Sequence, residues 1–266
     1  MRRKAEVVSV ALRSPTSNLE RREELIKISA INLFCLPYAG GSAMIYRGWQ
    51  KYLHPDIHLE PVELAGRGKR FGERYYDSLE DAVEDVYQVL KPKLDGTAYA
   101  IFGHSMGCVI AYELCHRLQE LGFQAPRHVF FSGRGAPDAP KRKKVLHRLP
   151  DAEFVTELRK LQGTPEEVLN HAELLQVILP VVRADFKIVE LYEYREHPQK
   201  LTGDISIFNG NEDDITLEEL VAWRDHTLQK CKYVHFRGGH FFIHDHAEEI
   251  VRYINLVLMQ ETSRQR

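Results

Sequence analysis

Long apolar runs, an excess of charge of one sign and internal repeats are all lacking in this sequence of 266 residues. No stretch approaches the roughly 18 apolar residues that a membrane-spanning helix needs. The formal net charge is only −2 at pH 7, and such a balance gives no general attraction to nucleic acid or to a lipid surface. We therefore expect neither nucleic acid nor membrane as a partner.

Cysteine is scarce too, with four residues and no C-x-x-C pair: Cys35, Cys108, Cys115 and Cys231. Two of them share a face of one predicted helix but lie too far apart along it to form a disulfide. We predict free, mostly buried thiols in a reducing compartment, and hence a cytoplasmic protein. Residues 1–29 are basic and lack a sustained apolar segment, so we read them as an extension of uncertain order rather than a signal peptide.

What the sequence does have is an alternation of strand and helix patterns after residue 30. The hydrophobic fraction of 44% is enough for a full core. Short apolar runs predict strands at 31–36, 57–64, 97–102, 127–133, 204–210 and 231–239. Because longer helical patterns separate them, we predict an α/β fold with a mostly parallel sheet covered on both faces. The domain would span residues 30–260, followed by a tail at 261–266.

One segment breaks this alternation. From about residue 137 to 195 the sequence shows only helical patterns, such as DAEFVTELRKL and PEEVLNHAELLQVILPVVRADFKIVELYEY. That is too much helix for a single crossover between two strands. We predict a helical insertion that lies over one end of the sheet, which makes it a candidate lid.

The segment YAIFGHSMGCVIAYEL, residues 99–114, joins an apolar run to an amphipathic helix through the pentapeptide GHSMG. A serine on a tight strand-to-helix turn needs small flanking residues because the backbone there is strained. The helix that begins after Ser105 also directs free amide groups and the positive end of its dipole toward the hydroxyl. We predict that Ser105 is a nucleophile; the alternative is an ordinary serine in a glycine-rich loop.

A serine nucleophile needs a base, and the base needs an acid that orients it. His240 follows a predicted strand and two glycines, and another strand is followed by three consecutive carboxylates, Glu212, Asp213 and Asp214. Spacing alone permits any of the three. The position three residues after the turn glycine Gly210 favours Asp213, and the chain order Ser, Asp, His is that of an acyl-transfer triad on an α/β sheet.

The 13 histidines include competitors to His240. His235 falls inside a predicted strand, and His244 and His246 fit surface positions at a helix start. His240 and His244 have an H-x-x-x-H spacing that can hold zinc, but the FFI between them supplies no glutamate as base, so we expect no metal. His104, beside the serine, is expected to pack rather than to react.

The loop after the first strand, FCLPYAGGSAM (34–44), is a candidate oxyanion-hole loop. The backbone N–H groups of Ala39 and Met106 would bind the negative charge that develops on a carbonyl oxygen. A plain glycine turn is the alternative. Aromatic residues cluster in sequence around these loops, and of them we expect Tyr38 and Phe241 to touch substrate.

Six motifs together resemble a known family: CLPYAGGSA, ELAGRGKR, FGHSMG, LPVVRADF, FNGNEDD and FRGGHFF, in this order between residues 31 and 256. They are similar to those of the type II thioesterases that accompany nonribosomal peptide and polyketide synthases. The resemblance implies an α/β-hydrolase fold with a mobile lid, and hydrolysis of acyl or aminoacyl groups from the phosphopantetheine arm of carrier proteins. Such hydrolysis removes stalled or misprimed chains. Carried over, the motifs assign Ser105, Asp213 and His240 to the triad and the Ala39 amide to the oxyanion hole.

Alternatives remain open within this chemistry. A related animal enzyme that releases medium-length chains from fatty acid synthase shares the motifs, and a small-ester hydrolase or an acyltransferase would keep the same triad. A local basic run is a candidate docking surface for acidic carrier domains, with a solvated loop as the alternative; it comprises Lys141, Arg142, Lys143 and Lys144. We expect no cofactor, and we expect the chain to act as a monomer.

Overall fold

The computed structural model of the chain describes residues 30–140 and 145–264. Its centre is a sheet of six strands in the order β2-β1-β3-β4-β5-β6, and every neighbouring pair is parallel. The strands are β1 (Ile31–Leu36), β2 (Ile57–Pro61), β3 (Ala98–His104), β4 (His128–Ser132), β5 (Asp204–Gly210) and β6 (Cys231–Phe236). The predicted α/β fold with a parallel sheet is therefore confirmed.

Seven α-helices lie in the described residues: α1 (Leu79–Leu90), α2 (Met106–Glu120), α3 (Asp151–Leu161), α4 (Glu166–Leu169), α5 (Ala172–Leu191), α6 (Leu217–Val221) and α7 (Ala247–Arg264). A 3₁₀ helix spans Ala43–Lys51. α7 thus continues into the segment that the sequence analysis assigned to a tail. None of the helices in the described stretches is long and apolar enough to cross a bilayer.

Local sequence signals explain several helix ends. Ser78 caps α1: its hydroxyl accepts from the Asp81 N–H, and the Asp81 carboxylate accepts from the Ser78 N–H in return, both at 3.1 Å. Gly122 follows α2 with a φ of +76°, a left-handed conformation that glycine adopts without steric cost. Pro180 lies inside α5, where it removes one helical hydrogen bond.

Two strands are shorter than their apolar patterns suggest. β2 pairs with β1 only as far as Pro61, opposite Cys35, so it ends three residues before the predicted limit at residue 64. β6 ends at Phe236, and the chain then turns through Gly238, whose φ is +107. The apolar pattern overestimates β2 because it continues into the buried Val62 and Leu64 of the following loop, whereas β6 is shortened by the turn itself.

Each face of the sheet carries its own hydrophobic layer. Residues of α1 and α2, among them Val86 and Ile110, pack on one face. Residues of α7 and of the 3₁₀ helix, among them Ile250 and Trp49, pack on the other. All four cysteines are free, and three of them are buried in these layers. The prediction of unpaired thiols is confirmed.

The expected helical insertion, at about 137–195, contains α3, α4 and α5, which lie between β4 and β5 in the chain. These helices have a small core of their own, which includes Phe154, Leu158 and Leu179. The insertion therefore has a core of its own, and the end of α5 also packs through Ile188 into the layer formed by α1 and α2. Its role as a mobile lid stays a prediction.

Candidate active site

Ser105 lies between the end of β3 and the first residue of α2, with a φ of 54° and a ψ of −109°. A residue other than glycine at such a φ is strained. A Cβ atom on Gly103 would overlap the backbone of Gly107, and one on Gly107 would overlap the Leu36 carbonyl. The Ser105 N–H donates to the Ser132 carbonyl at 2.8 Å. The turn is thus fixed at the carboxyl edge of the sheet by close backbone contacts that only glycine allows.

The structure brings Asp213 and His240 together. The Nδ1 atom of His240 lies 2.7 Å from the Oδ2 atom of Asp213, whose side chain is only 4% exposed. An ionised carboxylate can only accept, so Nδ1 carries the proton and Nε2 is left with a lone pair. Glu212 and Asp214, the other two carboxylates that the spacing permitted, are exposed.

The loops that carry Asp213 and His240 are joined to each other by backbone contacts. The Glu212 N–H donates to the Gly238 carbonyl at 2.9 Å, and the Gly238 N–H donates to the Asn211 side chain at 3.0 Å. A Cβ atom on Gly210 would overlap the carbonyl oxygens of Gly238 and Gly239. Of the two glycines before the histidine, Gly238 has a positive φ, whereas a Cβ on Gly239 would meet open space. Of this pair, only Gly238 therefore needs to be glycine.

His104 packs beside the catalytic loops, as its position next to the serine suggested. Its Nδ1 atom lies 2.9 Å from the Ser132 hydroxyl, and its ring centroid lies 5.2 Å from that of His240. Burial, with smaller effects from His240 and His244, lowers the pKa of His104 well below its usual value. His104 is therefore neutral and contributes packing next to the candidate base, His240.

Tyr38 and Phe241, the expected substrate-lining residues, contact each other edge to face with ring centroids 4.9 Å apart. The Tyr38 hydroxyl also lies 3.1 Å from the Nε2 atom of His244, a hydrogen bond that sequence reasoning missed. Burial raises the pKa of Tyr38 to about 12, so the hydroxyl stays protonated. Of the other loop aromatics, Tyr46 and Trp49 belong to the core. Contact of Tyr38 and Phe241 with substrate stays a prediction.

The candidate oxyanion-hole loop packs directly on the serine turn, because a Cβ on Gly107 would come within 3.0 Å of the Pro37 carbonyl oxygen. Ala39 lies in this loop, one residue before Gly40, whose N–H donates to the Asp185 carboxylate at 2.7 Å. Met106 is the first residue of α2, so its N–H has no helical partner. The two candidate donors thus lie on adjoining segments at the sheet edge.

A buried ion pair next to this loop was not found from the sequence. Asp185 on α5 accepts two hydrogen bonds from Arg67, from Nη1 to Oδ2 at 2.5 Å and from Nη2 to Oδ1 at 2.7 Å. Both residues belong to motifs of the family resemblance, ELAGRGKR and LPVVRADF. Occurrence in these motifs was the only sequence feature that singled out Arg67 and Asp185, and it did not indicate that the two side chains form a pair.

Two further predictions concern residues or ions away from the triad. The basic run Lys141, Arg142, Lys143 and Lys144 lies outside the described residues. Within the described stretches, no group of three or more His, Cys, Asp or Glu side chains is placed to hold a metal ion. His240 itself is engaged by Asp213.

Comparison with known proteins assigns the family. Residues 31–257 match the thioesterase domain family. The chain belongs to the thioesterase family. The family resemblance inferred from the six motifs is confirmed by this match and by solved structures of the same fold.

One solved structure is that of ClbQ from the colibactin nonribosomal peptide and polyketide synthase pathway, with a TM-score of 0.84 and 38% identity. The match covers 87% of this thioesterase and 98% of ClbQ. Another is the type II thioesterase BorB from the borrelidin biosynthetic cluster, with a TM-score of 0.79, 35% identity and coverage of 86% and 93%.

Sequence relatives agree with that assignment. This thioesterase is 42% identical over 229 residues to the protein named linear gramicidin dehydrogenase LgrE of Brevibacillus parabrevis, covering 85% of this chain and 87% of the relative. It is 37% identical over 224 residues to thioesterase PikA5 of Streptomyces venezuelae, covering 84% and 79%. The word dehydrogenase describes that relative alone, since the family match and the solved structures point to thioester hydrolysis. The medium-chain S-acyl fatty acid synthase thioesterase of Rattus norvegicus is 30% identical over 219 residues, covering 81% and 82%, so the chain-releasing alternative is less favoured.

Proposed function

We propose that this chain is an editing thioesterase, which hydrolyses acyl and aminoacyl groups from the phosphopantetheine arm of carrier proteins in a nonribosomal peptide or polyketide synthase. The membership of the thioesterase family and the biosynthetic pathways of its relatives support this substrate class. The mechanism rests on one observation above all. Asp213 holds His240 at 2.7 Å, and the His240 ring lies 5.2 Å, centroid to centroid, from that of His104, the residue before Ser105 in its strained turn.

In the first half of the reaction, the Nε2 atom of His240 takes the proton of the Ser105 hydroxyl as Oγ attacks the thioester carbonyl carbon. The tetrahedral intermediate carries its negative charge on the former carbonyl oxygen. Its carbon–sulfur bond then breaks, and the phosphopantetheine thiol leaves with the proton that the imidazolium returns. Asp213 keeps the imidazole in the required tautomer and stabilises the imidazolium.

In the second half, His240 takes a proton from water, whose oxygen attacks the acyl-serine carbonyl carbon. The bond between this carbon and Oγ of Ser105 breaks, the serine recovers its proton, and the free acid leaves. The N–H groups of Ala39 and Met106 hold the oxyanion in both halves. Donors of this kind each contribute about 10²- to 10³-fold to kcat in serine hydrolases.

The partner in this proposal is a phosphopantetheinylated carrier domain, and the reaction is placed in the cytoplasm, where free thiols stay reduced. Docking of an acidic carrier on Lys141, Arg142, Lys143 and Lys144 stays a prediction, as does the monomeric state.

The decisive experiment compares hydrolysis of one short acyl group presented in three ways: on a phosphopantetheinylated carrier domain, on coenzyme A and as a matched oxyester. We expect the largest kcat/KM for the carrier-bound thioester, because only the carrier offers protein contacts besides the arm. We expect Ser105→Ala to fold normally and to lose at least about 10³-fold in kcat.

The outcomes separate the alternatives. Preference for the oxyester would leave the triad in place and make the chain a small-ester hydrolase. Release of product at an increased rate with an added amine or alcohol would indicate an acyltransferase. Turnover by a well-folded Ser105→Ala variant at the wild-type rate would contradict the nucleophile assignment itself.

A further inference from the structure

Arg67 and Asp185 are two charged side chains buried between the sheet edge and α5. They are 6% and 2% exposed, and they meet through two parallel hydrogen bonds of 2.5 and 2.7 Å. A buried charge is costly unless it is paired and hydrogen-bonded, so the pair keeps this geometry strictly. Neither side chain has a part in the proton transfers proposed above. The pair therefore has another role, and its remaining hydrogen bonds show which segment it holds in place.

Both members of the pair also bind the candidate oxyanion-hole loop. The Oδ2 atom of Asp185 accepts from the Gly40 N–H at 2.7 Å, and the Nη1 atom of Arg67 donates to the Gly41 carbonyl at 3.1 Å. These two backbone groups follow Ala39 directly in the chain. A hydrogen bond to an ionised partner is about twice as strong as a neutral one, so the loop is held firmly on this side.

Packing holds the same loop from α5. Gly40 has a φ of +78°, and a Cβ atom placed on it would lie 2.7 Å from the Cγ2 atom of Val182. Val182 precedes Asp185 by about one helical turn, so the steric contact and the hydrogen bond come from one face of α5. The loop is confined between the serine turn, Arg67 and this helix.

We propose that Arg67 and Asp185 are positioning residues for the oxyanion hole: together they fix the loop so that the Ala39 N–H meets the developing negative charge. The proposal rests on the proposed function, which gives Ala39 its role. Donors stabilise an oxyanion only if they are already oriented when the charge forms. The pair supplies that orientation without touching the substrate. The competing explanation is that the pair merely attaches the helical insertion to the domain.

The principal test is the double variant Arg67→Met with Asp185→Leu. It replaces the buried pair by apolar side chains of similar size, an exchange that proteins often tolerate without loss of stability. It also removes both anchors of the loop. With an acyl N-acetylcysteamine thioester as substrate, we expect kcat to fall by about 10²-fold, the usual effect of a small misplacement of catalytic groups, with little change in KM. Asp185→Asn keeps the shape of the side chain and should give a smaller loss.

The affinity for a transition-state analogue is a second measurement, and a change in the stability of the helical insertion alone would not alter it. A trifluoromethyl ketone adds to the serine and carries an oxyanion, so its affinity for the double variant should fall by the same factor as kcat/KM. Arg183→Gln is the matched control on α5. It breaks the 2.6 Å ion pair of Arg183 with Asp151 and the hydrogen bonds to the His147 and Leu149 carbonyls, none of which reaches the loop. We expect this control to lower the Tm while leaving kcat and the analogue affinity unchanged.

A folded double variant with wild-type kcat and wild-type analogue affinity would overturn the positioning role. An equal loss of kcat in the Arg183→Gln control would overturn it as well, in favour of attachment of the insertion. If the double variant does not fold, kcat and the analogue affinity of Asp185→Asn test the positioning role instead. The Ser105→Ala variant, assayed in parallel, tests the proposed function separately. If the wild type hydrolyses the thioester and Ser105→Ala does not, a negative result with the double variant contradicts only the positioning role of Arg67 and Asp185.

Discussion

Ser105 meets two demands in one residue, since its hydroxyl must project from the sheet edge while its backbone turns sharply into α2. The left-handed φ of 54° that results costs on the order of 1–3 kcal/mol in a residue other than glycine. The neighbouring glycines and the hydrogen bond to Ser132 hold the turn against this cost. At this scale, the candidate nucleophile is distinguished by a backbone conformation that folding alone would not favour.

The orienting role of Asp213 is tested by Asp213→Asn. The amide keeps the size of the side chain but can donate to Nδ1 and so favour the wrong imidazole tautomer, and we expect kcat to fall by about 10⁴-fold with KM little changed. Single-turnover kinetics on a thioester substrate measure this. Asp214→Asn and Glu212→Gln are matched controls on exposed neighbours. A loss confined to one of these controls would move the acid to that carboxylate.

The triad candidates could be named from the sequence because each follows a strand pattern and lies next to glycines. Arg67 and Asp185 could not, because 118 residues separate them and each has an ordinary local setting. An arginine between two glycines and an aspartate on an amphipathic helix are typical of exposed positions. Only the folded chain brings them to one place and excludes water from it. Pairing of buried charges over such a separation has no local signature.

At the scale of elements, the positions of the strands along the chain and their parallel arrangement followed from hydrophobic periodicity. The Ser78 capping box and the left-handed Gly122 show that local signals also set the ends of α1 and α2. The length of β2 was overestimated because hydrophobicity reports burial rather than backbone pairing, and that of β6 because the chain turns at Gly238 before the predicted limit. The contact between the β5 and β6 loops was also missed, since the need for glycine at residue 210 comes from carbonyls of another loop.

Gly210→Ala tests that contact between loops. Its added methyl group would overlap the carbonyl oxygens of Gly238 and Gly239 and push the two loops apart, so the Asp213–His240 hydrogen bond should lengthen. We expect kcat to fall by at least about 10-fold, with a Tm loss typical of overpacking. Gly239→Ala places the same methyl group in open space and serves as the control. Equal activities for the two alanine variants would contradict this steric argument.

For the whole molecule, burial of neutral histidines makes stability depend on pH. His116 on α2 is 4% exposed and stacks on His197 with ring centroids 3.6 Å apart. Burial, followed by the nearby His197 and His226, lowers its pKa to about 3. The unfolded chain binds a proton at this residue below pH of about 6.5, but the folded chain does not until about pH 3. The free energy of unfolding must therefore fall as the pH is lowered through that window.

His116→Phe keeps a ring in the stack and removes this titration. The fall in the free energy of unfolding below pH 6.5 should become shallower by up to about 1.4 kcal/mol per pH unit. Urea unfolding at several pH values between 7.5 and 5 measures the difference. His235→Gln, on the exposed side of β6, removes a histidine without changing the core and should keep the wild-type slope. Parallel slopes for wild type and His116→Phe would contradict the argument.

The helical insertion leaves the sheet from β4 and returns to β5, the strand beside it, and it carries its own small core. In evolutionary terms, both ends of this segment are attached to neighbouring strands of the sheet, and the pairing of those strands does not depend on how long the insertion is. Selection can therefore lengthen, shorten or reshape the insertion for a new acyl group while the strands that carry the candidate triad stay unchanged. If the positioning role proposed above holds, any replacement for α5 must still place a carboxylate against Arg67.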